Sequence, residues 1–470
     1  MTHIAKIGVC GAGAMGSGIA QVAAQAGHPV VVYDVFAPSH ERSRAQIAKG
    51  LGQLVKRGKM AEEQVAAVLA AMAWTDDIAA LSDCDLVIEA IIEDFAAKQT
   101  LFAQLEDQLR PDAVIASNTS SLPIARLARS LRVPGRFVGM HFFNPATVMK
   151  LVEVVSGPAT NPAIAEQIAT LARSWGKVAV PVADVPGFIV NRVARPYYAE
   201  GFRCVEQRGA APEVIDHLFR AAAGFRMGPL ELADMIGHDV NFAVARSVYD
   251  SCFGQTRFVP QLVQSALVDA NWLGRKTGRG IYDYADGKAP EVPASLDGAV
   301  LPGAPDRPQN IVPGAGGFTF DGVWVQCSRG STARVESAEL GKPVVLLDWF
   351  DGATATAAGF AASSDDAADV ATGLLKTWDL QAYRLADRPG LIVLRTLAQI
   401  ANAAGDAVLE GVADEAGIDD ALRFGANYPF GPIAWAKRIG AGALAAVLSA
   451  IADATGQPMY NPSEYWISKP

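Results

Sequence analysis

Short apolar runs alternate with amphipathic stretches over residues 1–184. The runs AKIGVC, HPVVVYD, SDCDLVIEA, DAVIAS, RFVGMHF, LVEVV and KVAVPVAD have the length and composition of buried strands. Between them, SGIAQVAAQAG, AAKQTLFAQLEDQL and NPAIAEQIATLARSWG have helical composition, and Asn161 and Pro162 supply a cap and first position for the last helix. This alternation predicts an α/β domain built on a doubly wound parallel sheet.

The pattern changes at residue 185, where the apolar positions take a helical spacing. GFIVNRVARPYYAEGFRCVEQRG and APEVIDHLFRAAAGF predict an all-α domain over residues 185–285. Residues 286–383 begin with a linker rich in Pro, Gly and Ala, and continue with GVWVQC, PVVLLDWF and DDAADVATGLLKTWD, which predict a small, reduced α/β segment. A second all-α domain is expected over residues 384–470.

An internal repeat links the two helical regions. DVPGFIVNR (184–192) recurs as DRPGLIVLR (387–395), and further matches follow at the same offset of 203 residues. Three polar residues of the first copy are not retained at this offset: Asn191 is matched by Leu394, His141 by Val344 and Glu153 by Thr356. We therefore expect a single active site, in the first half of the chain.

The first strand is followed at once by a glycine-rich turn. Gly11, Gly13 and Gly16 have the G-x-G-x-x-G spacing that lets a chain turn sharply, approach a pyrophosphate and pack a helix on a strand. Asp34 ends the second strand, where a carboxylate accepts a hydrogen bond from the adenosine ribose 2′-hydroxyl. A 2′-phosphate would be repelled there, so the pattern predicts a Rossmann-type domain that binds NAD.

Composition excludes several other classes of protein. The net charge is −9, and the absence of a dense Lys/Arg run argues against nucleic-acid binding. Five cysteines without a CxxC pair argue against a disulfide framework or a zinc site. No apolar run is long enough to span a bilayer, and MTHIAKIGVCGAG lacks the apolar core of a signal peptide. We expect a cytoplasmic protein with no metal and no membrane partner.

Ligands in doubly wound sheets bind beyond the carboxyl ends of the strands, where we expect Ser120, His141 and Asn144. His141 ends a strand and suits the removal of a hydroxyl proton near neutral pH. Glu153 is the only polar residue of LVEVV, and a buried carboxylate needs a partner such as an imidazole. Taken singly, each residue is better explained by a structural role: His141 as a core histidine, Glu153 as a solvent-facing edge residue and Ser120 as the cap of a helix beginning near Leu122.

A set of motifs occurs in order: SNTSSL, HFFNP, KLVEVV, DVPGFIVNR, GPLELAD and WLGRKTGRGIYDY. Over residues 4–284 the chain resembles the L-3-hydroxyacyl-CoA dehydrogenase family in its bacterial 3-hydroxybutyryl-CoA or 3-hydroxyadipyl-CoA form. The resemblance implies NAD-dependent, reversible oxidation of an L-3-hydroxyacyl-CoA to the 3-oxoacyl-CoA. It also implies helical domains that pair across a two-fold axis, so the repeat is expected to give either a monomeric pseudo-dimer or a homo-oligomer.

The same resemblance implies roles for individual residues. His141 would be the general base, oriented by Glu153, while Ser120 and Asn191 would bind the substrate oxygens. Contacts with coenzyme A phosphates are expected from Lys56 or Lys59. Contacts with NAD are expected from Gly11, Gly13, Ala14, Met15, Gly16, Asp34, Glu93, Lys98, Ser120, Asn144 and Lys276.

Two other functions stay open at this point. A dehydrogenase of a free hydroxy acid, such as a sugar acid, would share the fold and the main motifs. A non-catalytic NAD-binding protein would share the glycine turn but would not need His141 or Glu153. Within the acyl-CoA hypothesis, a dicarboxylyl substrate would require a cation near its distal end, for which Arg195 and Arg226 are candidates.

Overall fold

The computed structural model describes residues 4–287, 290–309 and 311–469. Its contacts divide the chain into two compact units. The first unit comprises residues 1–190 and 411–425, and the second comprises residues 191–410 and 426–470. Residues 411–425 thus pack with the first unit, although the repeat places them within the expected second helical domain.

The first unit is built on one eight-stranded sheet with the strand order β3-β2-β1-β4-β5-β6-β7-β8. Its central strands are buried on both faces because they carry continuous apolar runs. The strands are β1 (Ile7–Cys10), β2 (Val30–Tyr33), β3 (Met72–Thr75), β4 (Leu86–Glu89), β5 (Val114–Ser117), β6 (Phe137–Phe142), β7 (Leu151–Ser156) and β8 (Val178–Ala183).

Two expectations about this sheet are wrong. The run SDCDLVIEA forms the fourth strand, because the short β3 precedes it at the sheet edge. The apolar run VAAVLAAMAW continues from α3 into β3 without a polar break, so the sequence does not mark β3 as a separate element. The sheet is also not wholly parallel, since β6 and β7 are antiparallel. Residues 143–150 join them, and so short a connection cannot make the crossover that a parallel pair needs.

Helices cover the sheet of the first unit. The prediction of Asn161 as a cap is confirmed, because its side chain accepts a hydrogen bond from the Ala163 N–H at 2.9 Å. The helices are α1 (Ala14–Gln25), α2 (Pro38–Lys56), α3 (Glu62–Ala70), α4 (Phe95–Gln108), α5 (Ile124–Ala128), α6 (Pro162–Ser174) and, from the distal part of the chain, α16 (Glu415–Gly425).

The second unit contains two sets of helices, one from each copy of the repeat. Among the described residues, no single helix is long and apolar enough to cross a membrane. Two consecutive helices, Pro432–Ile439 and Ala441–Thr455, are long and apolar enough only when taken together, and the chain bends sharply between them. The first set is α7 (Val190–Val193, whose first residue lies in the first unit), α8 (Arg195–Glu206), α9 (Pro212–Ala221), α10 (Pro229–Ile236), α11 (His238–Ser251) and α12 (Leu262–Asp269). The second set is α15 (Val393–Leu409), α17 (Pro432–Ile439), α18 (Ala441–Thr455) and α19 (Glu464–Ile467).

A small five-stranded sheet with the order β13-β12-β11-β10-β9 lies between these sets in sequence. The predicted order of Rossmann-type domain, helical domain, reduced α/β segment and second helical domain is therefore confirmed. The elements of the segment are β9 (Phe318–Phe320), β10 (Val323–Cys327), α13 (Ala333–Leu340), β11 (Val344–Leu347), β12 (Ala357–Ala362), α14 (Asp365–Thr377) and β13 (Gln381–Arg384).

The reduced segment repeats the last four strands of the large sheet. Strands β10 and β11 are parallel, β11 and β12 antiparallel, and β12 and β13 parallel, as are β5 to β8 in turn. Continuing the β11–β12 register by one residue sets Asp348 opposite Gly359, joined by a backbone hydrogen bond of 2.9 Å. These two residues, not Val344 and Thr356, occupy the positions of His141 and Glu153.

The two copies of the helical region pack on each other within the second unit. Helix α8 contacts α15, and the side-chain contacts are reciprocal. Arg192 pairs with the Glu410 carboxylate, and Arg395 donates to Gln207 Oε1 at 3.2 Å. Because each of these pairs joins matched positions of the two copies, the helices are related by a pseudo-two-fold arrangement inside one chain.

Candidate active site

The turn after β1 depends on glycine at two positions. Gly11 has φ of 107°, which favours a residue without a Cβ, and a Cβ at Gly16 would lie 1.8 Å from the Gly11 carbonyl oxygen. By contrast, a Cβ at Gly13 would meet no atom within 4 Å. The backbone at Gly13 therefore faces open space at the start of α1, where helix N–H groups favour a phosphate.

A cavity of about 770 Å³ opens beside this turn. Its volume falls in the range of small-molecule sites. Five of the residues predicted to contact NAD line this cavity: Gly11, Gly13, Ala14, Met15 and Asp34. Gly16 instead allows α1 to pack closely against the turn. These residues fit a dinucleotide, since they combine an open helix N-terminus with a carboxylate at the end of β2.

The Asp34 carboxylate already holds the turn together. Its Oδ2 accepts a hydrogen bond from the Ala12 N–H at 2.8 Å, and its Oδ1 accepts one from the Phe36 N–H at 2.9 Å. The side chain is only partly buried, so the oxygens have accepting capacity left for a ribose hydroxyl.

An Asp34→Ser variant is expected to raise the KM for NADH by about tenfold, the effect of losing one charge-assisted hydrogen bond. The ratio of kcat/KM for NADH to kcat/KM for NADPH should also fall, because the 2′-phosphate of NADPH is no longer repelled by a negative charge at this position. Steady-state kinetics with both cofactors would check this. Asp76→Ser is the matched control, since Asp76 is an exposed acid that follows the neighbouring strand β3. A preference that Asp34→Ser leaves unchanged would contradict the assignment.

His141 and Glu153 form a buried pair across the β6–β7 ladder. They lie directly opposite each other in the register, and His141 Nδ1 is 2.6 Å from Glu153 Oε2. The exposed fractions of the two side chains are 8% and 1%. Glu153 Oε1 accepts hydrogen bonds from the Ile189 and Val190 N–H groups at 2.9 and 3.0 Å. The carboxylate is thus fixed by the backbone and in turn fixes the imidazole, leaving Nε2 for another partner.

The alternative of a solvent-facing Glu153 on an edge strand is wrong, because β7 lies between β6 and β8. The alternative of Ser120 as a helix cap is also wrong. Helix α5 begins at Ile124, and the Asp184 carboxylate accepts the hydrogen bonds of its first N–H groups, at 2.9 Å from Ile124 and 2.7 Å from Ala125.

Ser120 belongs to a loop that is organised around Glu93. Glu93 Oε1 accepts hydrogen bonds from the Ser120 N–H at 2.8 Å and the Thr119 hydroxyl at 2.7 Å. Burial alone would raise the pKa of Glu93, but the Lys98 ammonium and these hydrogen bonds hold it below its ordinary value. The Ser120 hydroxyl itself is 3.3 Å from the same oxygen.

Lys98 lies in the first turn of α4, but its side chain is buried rather than solvated. Its side chain is 1% exposed, and Nζ lies 2.5 Å from Glu89 Oε1 and 3.2 Å from Glu93 Oε2. Both carboxylates therefore pair with the same buried ammonium. In this arrangement Lys98 supports the loop that carries Ser120.

Two polar residues of this region were missed in the sequence. Glu89 ends β4 and accepts a hydrogen bond from the Ser117 hydroxyl at 2.6 Å. Asn118 follows β5 and accepts one from the Phe142 N–H at 2.8 Å, which ties that loop to the end of the His141 strand. The signal was present, because each residue interrupts or ends an apolar run, as Glu153 does.

The remaining candidates are not brought together within the first unit. Asn144 is exposed in the loop after β6, and Lys56 and Lys59 are exposed at the end of α2. Asn191 and Lys276 belong to the second unit, where Lys276 Nζ is 2.5 Å from Asp239 Oδ1. In the described part of the chain, no cluster of three or more His, Cys, Asp or Glu side chains could hold a metal ion.

Comparison with known proteins gives consistent matches along the chain. Residues 6–185 match the family described as 3-hydroxyacyl-CoA dehydrogenase, NAD binding domain, and residues 187–284 and 390–468 match its C-terminal domain. Residues 325–389 match the 3-hydroxybutyryl-CoA dehydrogenase reduced Rossmann-fold domain.

Individual relatives cover one or both copies of the repeat. The 3-hydroxyadipyl-CoA dehydrogenase of Escherichia coli is 42% identical over 463 residues, which are 98% of this chain and 96% of that protein. The probable 3-hydroxybutyryl-CoA dehydrogenase of Bacillus subtilis is 42% identical over 60% of this chain and 99% of its own. A crystal structure of 3-hydroxybutyryl-CoA dehydrogenase from Escherichia coli K12 covers 99% of this chain and 98% of its own, with 41% identity and a TM-score of 0.94.

Proposed function

Because the chain belongs to the 3-hydroxyacyl-CoA dehydrogenase family and is an NAD-dependent oxidoreductase, we propose that it interconverts L-3-hydroxyacyl-CoA and 3-oxoacyl-CoA thioesters. His141 is the general base and Glu153 the residue that orients it. The observation that carries the proposal is the buried His141–Glu153 pair, in the same unit as the cavity beside the glycine turn.

In the oxidative direction, His141 Nε2 takes the proton of the C3 hydroxyl. Glu153 accepts the hydrogen bond from Nδ1–H, so the neutral ring presents an unprotonated Nε2, and the same carboxylate stabilises the imidazolium that forms. Bound NAD⁺ supplies the acceptor for the hydride that leaves C3. In the reductive direction, the imidazolium returns its proton to the oxygen of the 3-oxo group.

The other candidate residues have supporting roles in this proposal. The Ser120 hydroxyl and the Asn191 amide donate hydrogen bonds to the substrate oxygens, where negative charge develops during proton transfer. Lys56 or Lys59 meets the phosphates of coenzyme A, for which their exposure leaves them available. Glu93, Lys98, Asn144 and Lys276 are assigned to the NAD contacts by the family resemblance.

The direct test is oxidation of NADH with acetoacetyl-CoA and with 3-oxoadipyl-CoA, each compared with a free 3-oxo acid of the same carbon skeleton. Turnover of at least one thioester is expected, with at most slow turnover of the free acids. Turnover of a free acid alone would favour a hydroxy-acid dehydrogenase. Failure of every 3-oxo compound, with NADH binding intact by fluorescence, would favour a non-catalytic NAD-binding protein.

A further inference from the structure

Arg195, the first residue of α8, is a buried cation for which the described residues supply no counter-ion. The residue is 8% exposed. Its Nε and Nη1 atoms are buried, and no group in the described ranges accepts a hydrogen bond from them. The other buried arginines of this unit each pair with a carboxylate: Arg192 with Glu410, and Arg203 and Arg395 with Glu200. A buried guanidinium is costly unless it is paired, so the exception at Arg195 calls for an acceptor.

A second unsatisfied donor lies near this guanidinium. Tyr428 is 7% exposed, and its hydroxyl has no hydrogen-bond partner among the described residues. Burial raises the pKa of Tyr428 well above its ordinary value, and the neighbouring Arg195 charge opposes that rise. The ring of Tyr198 packs under the guanidinium, with Arg195 Cζ 5.0 Å from the ring centroid. The cation is therefore held in place on one side, while the buried Nε and Nη1 donors have no acceptor among the described residues.

The chemistry of this cluster selects its ligand. Arg195 offers a planar fork of N–H donors and Tyr428 a further O–H donor, and a carboxylate can accept from both. No carboxylate of the described chain fills that role, so the ligand must bring one.

The position of Arg195 in the helix connects the cluster with the substrate. Asn191, to which the family resemblance gives the substrate oxygens, lies four residues earlier. Ala194 between α7 and α8 has helical dihedrals, with φ of −79° and ψ of −6°. Residues four apart lie on one helix face, about 5–6 Å apart. In a six-carbon dicarboxylyl chain, three C–C bonds separate C3 from the terminal carboxyl carbon, a comparable span.

We propose that Arg195, with Tyr428, binds the distal carboxylate of a dicarboxylyl acyl-CoA and so determines acyl-chain specificity. The proposal rests on the 3-hydroxyacyl-CoA dehydrogenase function and narrows its substrate class. The second copy of the helical region then has a place in substrate recognition, because Tyr428 comes from that copy and Arg195 from the first.

Kinetics of the full-length protein with 3-oxoadipyl-CoA and acetoacetyl-CoA test the proposal. For Arg195→Met, kcat/KM is expected to fall by about 10- to 100-fold with 3-oxoadipyl-CoA, the effect of a lost charge-assisted contact, and by less than about threefold with acetoacetyl-CoA. Arg195→Lys should recover part of the loss, and Tyr428→Phe should lose less than Arg195→Met. Arg246→Met is the matched control, since Arg246 is an exposed arginine of the same unit and should leave the ratio unchanged.

A measurement on the unaltered protein covers the case in which Arg195→Met fails to fold. Adipyl-CoA and hexanoyl-CoA lack a reactive 3-oxo group and differ at the distal end only. Adipyl-CoA should inhibit acetoacetyl-CoA reduction at least tenfold more tightly. Equal or tighter inhibition by hexanoyl-CoA, or an equal loss for both substrates in Arg195→Met, would overturn the proposal while leaving the dehydrogenase function standing. Turnover of neither thioester by the parent protein would instead overturn the function on which it rests.

Discussion

A His141→Gln variant is expected to bind NADH as the parent protein does. Its kcat for reduction of a 3-oxoacyl-CoA should fall by about 10²- to 10⁴-fold, the usual contribution of general acid–base catalysis. Gln is close to His in size and can still donate toward Glu153 Oε2, so the β6–β7 pairing should persist. It cannot take up or release a proton at the Nε2 position. NADH fluorescence titration and steady-state kinetics would separate binding from catalysis.

Glu153→Gln is the companion variant, because it keeps an acceptor for the Ile189 and Val190 N–H groups while replacing the carboxylate. Its amide would donate to Nδ1, which reverses the hydrogen bond and leaves the proton of the neutral ring on Nε2. A loss in kcat with little change in the thermal midpoint would support an orienting role. His217→Gln is the histidine control, since His217 bonds Gln381 in the second unit. Retained turnover in His141→Gln would place the base elsewhere.

The sequence was sufficient for this pair because two independent clues converged. His141 ends one apolar run and Glu153 interrupts the next, and neither apolar burial nor solvation explains a lone polar residue in such a run. The antiparallel turn between β6 and β7 was not anticipated, although it is what sets the two residues directly opposite each other. A short connection between the runs was visible, so chain length alone could have indicated it.

In the second copy, the constant sequence offset does not identify every structurally equivalent residue. The helical regions keep one constant offset, but the strand connections differ, so the equivalents of His141 and Glu153 are found only from the register. Asp348 at the His141 position accepts hydrogen bonds from the Ile392, Val393 and Leu394 N–H groups at 3.1, 2.8 and 2.9 Å. The second copy thus retains a carboxylate that binds the backbone N–H groups of the repeated segment, but it has no imidazole at this position.

Burial of charged residues was the least predictable feature. Lys98 looks like any lysine in the first turn of an amphipathic helix, and its burial depends on Glu89, which is nine residues earlier at the end of another strand. Arg195 likewise lies in an ordinary helical pattern. Whether such a cation is solvated, paired with a carboxylate or free to bind a ligand depends on the side chains that the fold places around it. The helical spacing of apolar residues does not identify those side chains.

Glu200→Ala is expected to lower the free energy of unfolding by about 3–5 kcal/mol, the range for removing one partner of a buried ion pair. Glu200 is 1% exposed, and its carboxylate forms ion pairs with two buried guanidiniums, those of Arg203 and Arg395. Arg395 Nε lies 2.9 Å from Glu200 Oε2, although its N–H is not directed at that oxygen, so the contact is an ion pair. Tyr460 also donates its hydroxyl to this carboxylate at 3.0 Å. Urea unfolding followed by circular dichroism would measure the loss.

The pseudo-two-fold arrangement supplies a matched control for this cluster. In the other copy, Ala403 stands at the position of Glu200, and Arg192 pairs instead with Glu410, whose side chain is 43% exposed. Glu410→Ala also frees a buried guanidinium, because the Arg192 side chain is 6% exposed, but the carboxylate that it removes is partly solvated and serves one arginine, so a smaller cost of about 1–3 kcal/mol is expected. A large difference between the two variants would locate the stability of the paired helices in one buried charge cluster. Costs below about 1 kcal/mol in both variants would mean that apolar packing, rather than the charges, holds the two copies together.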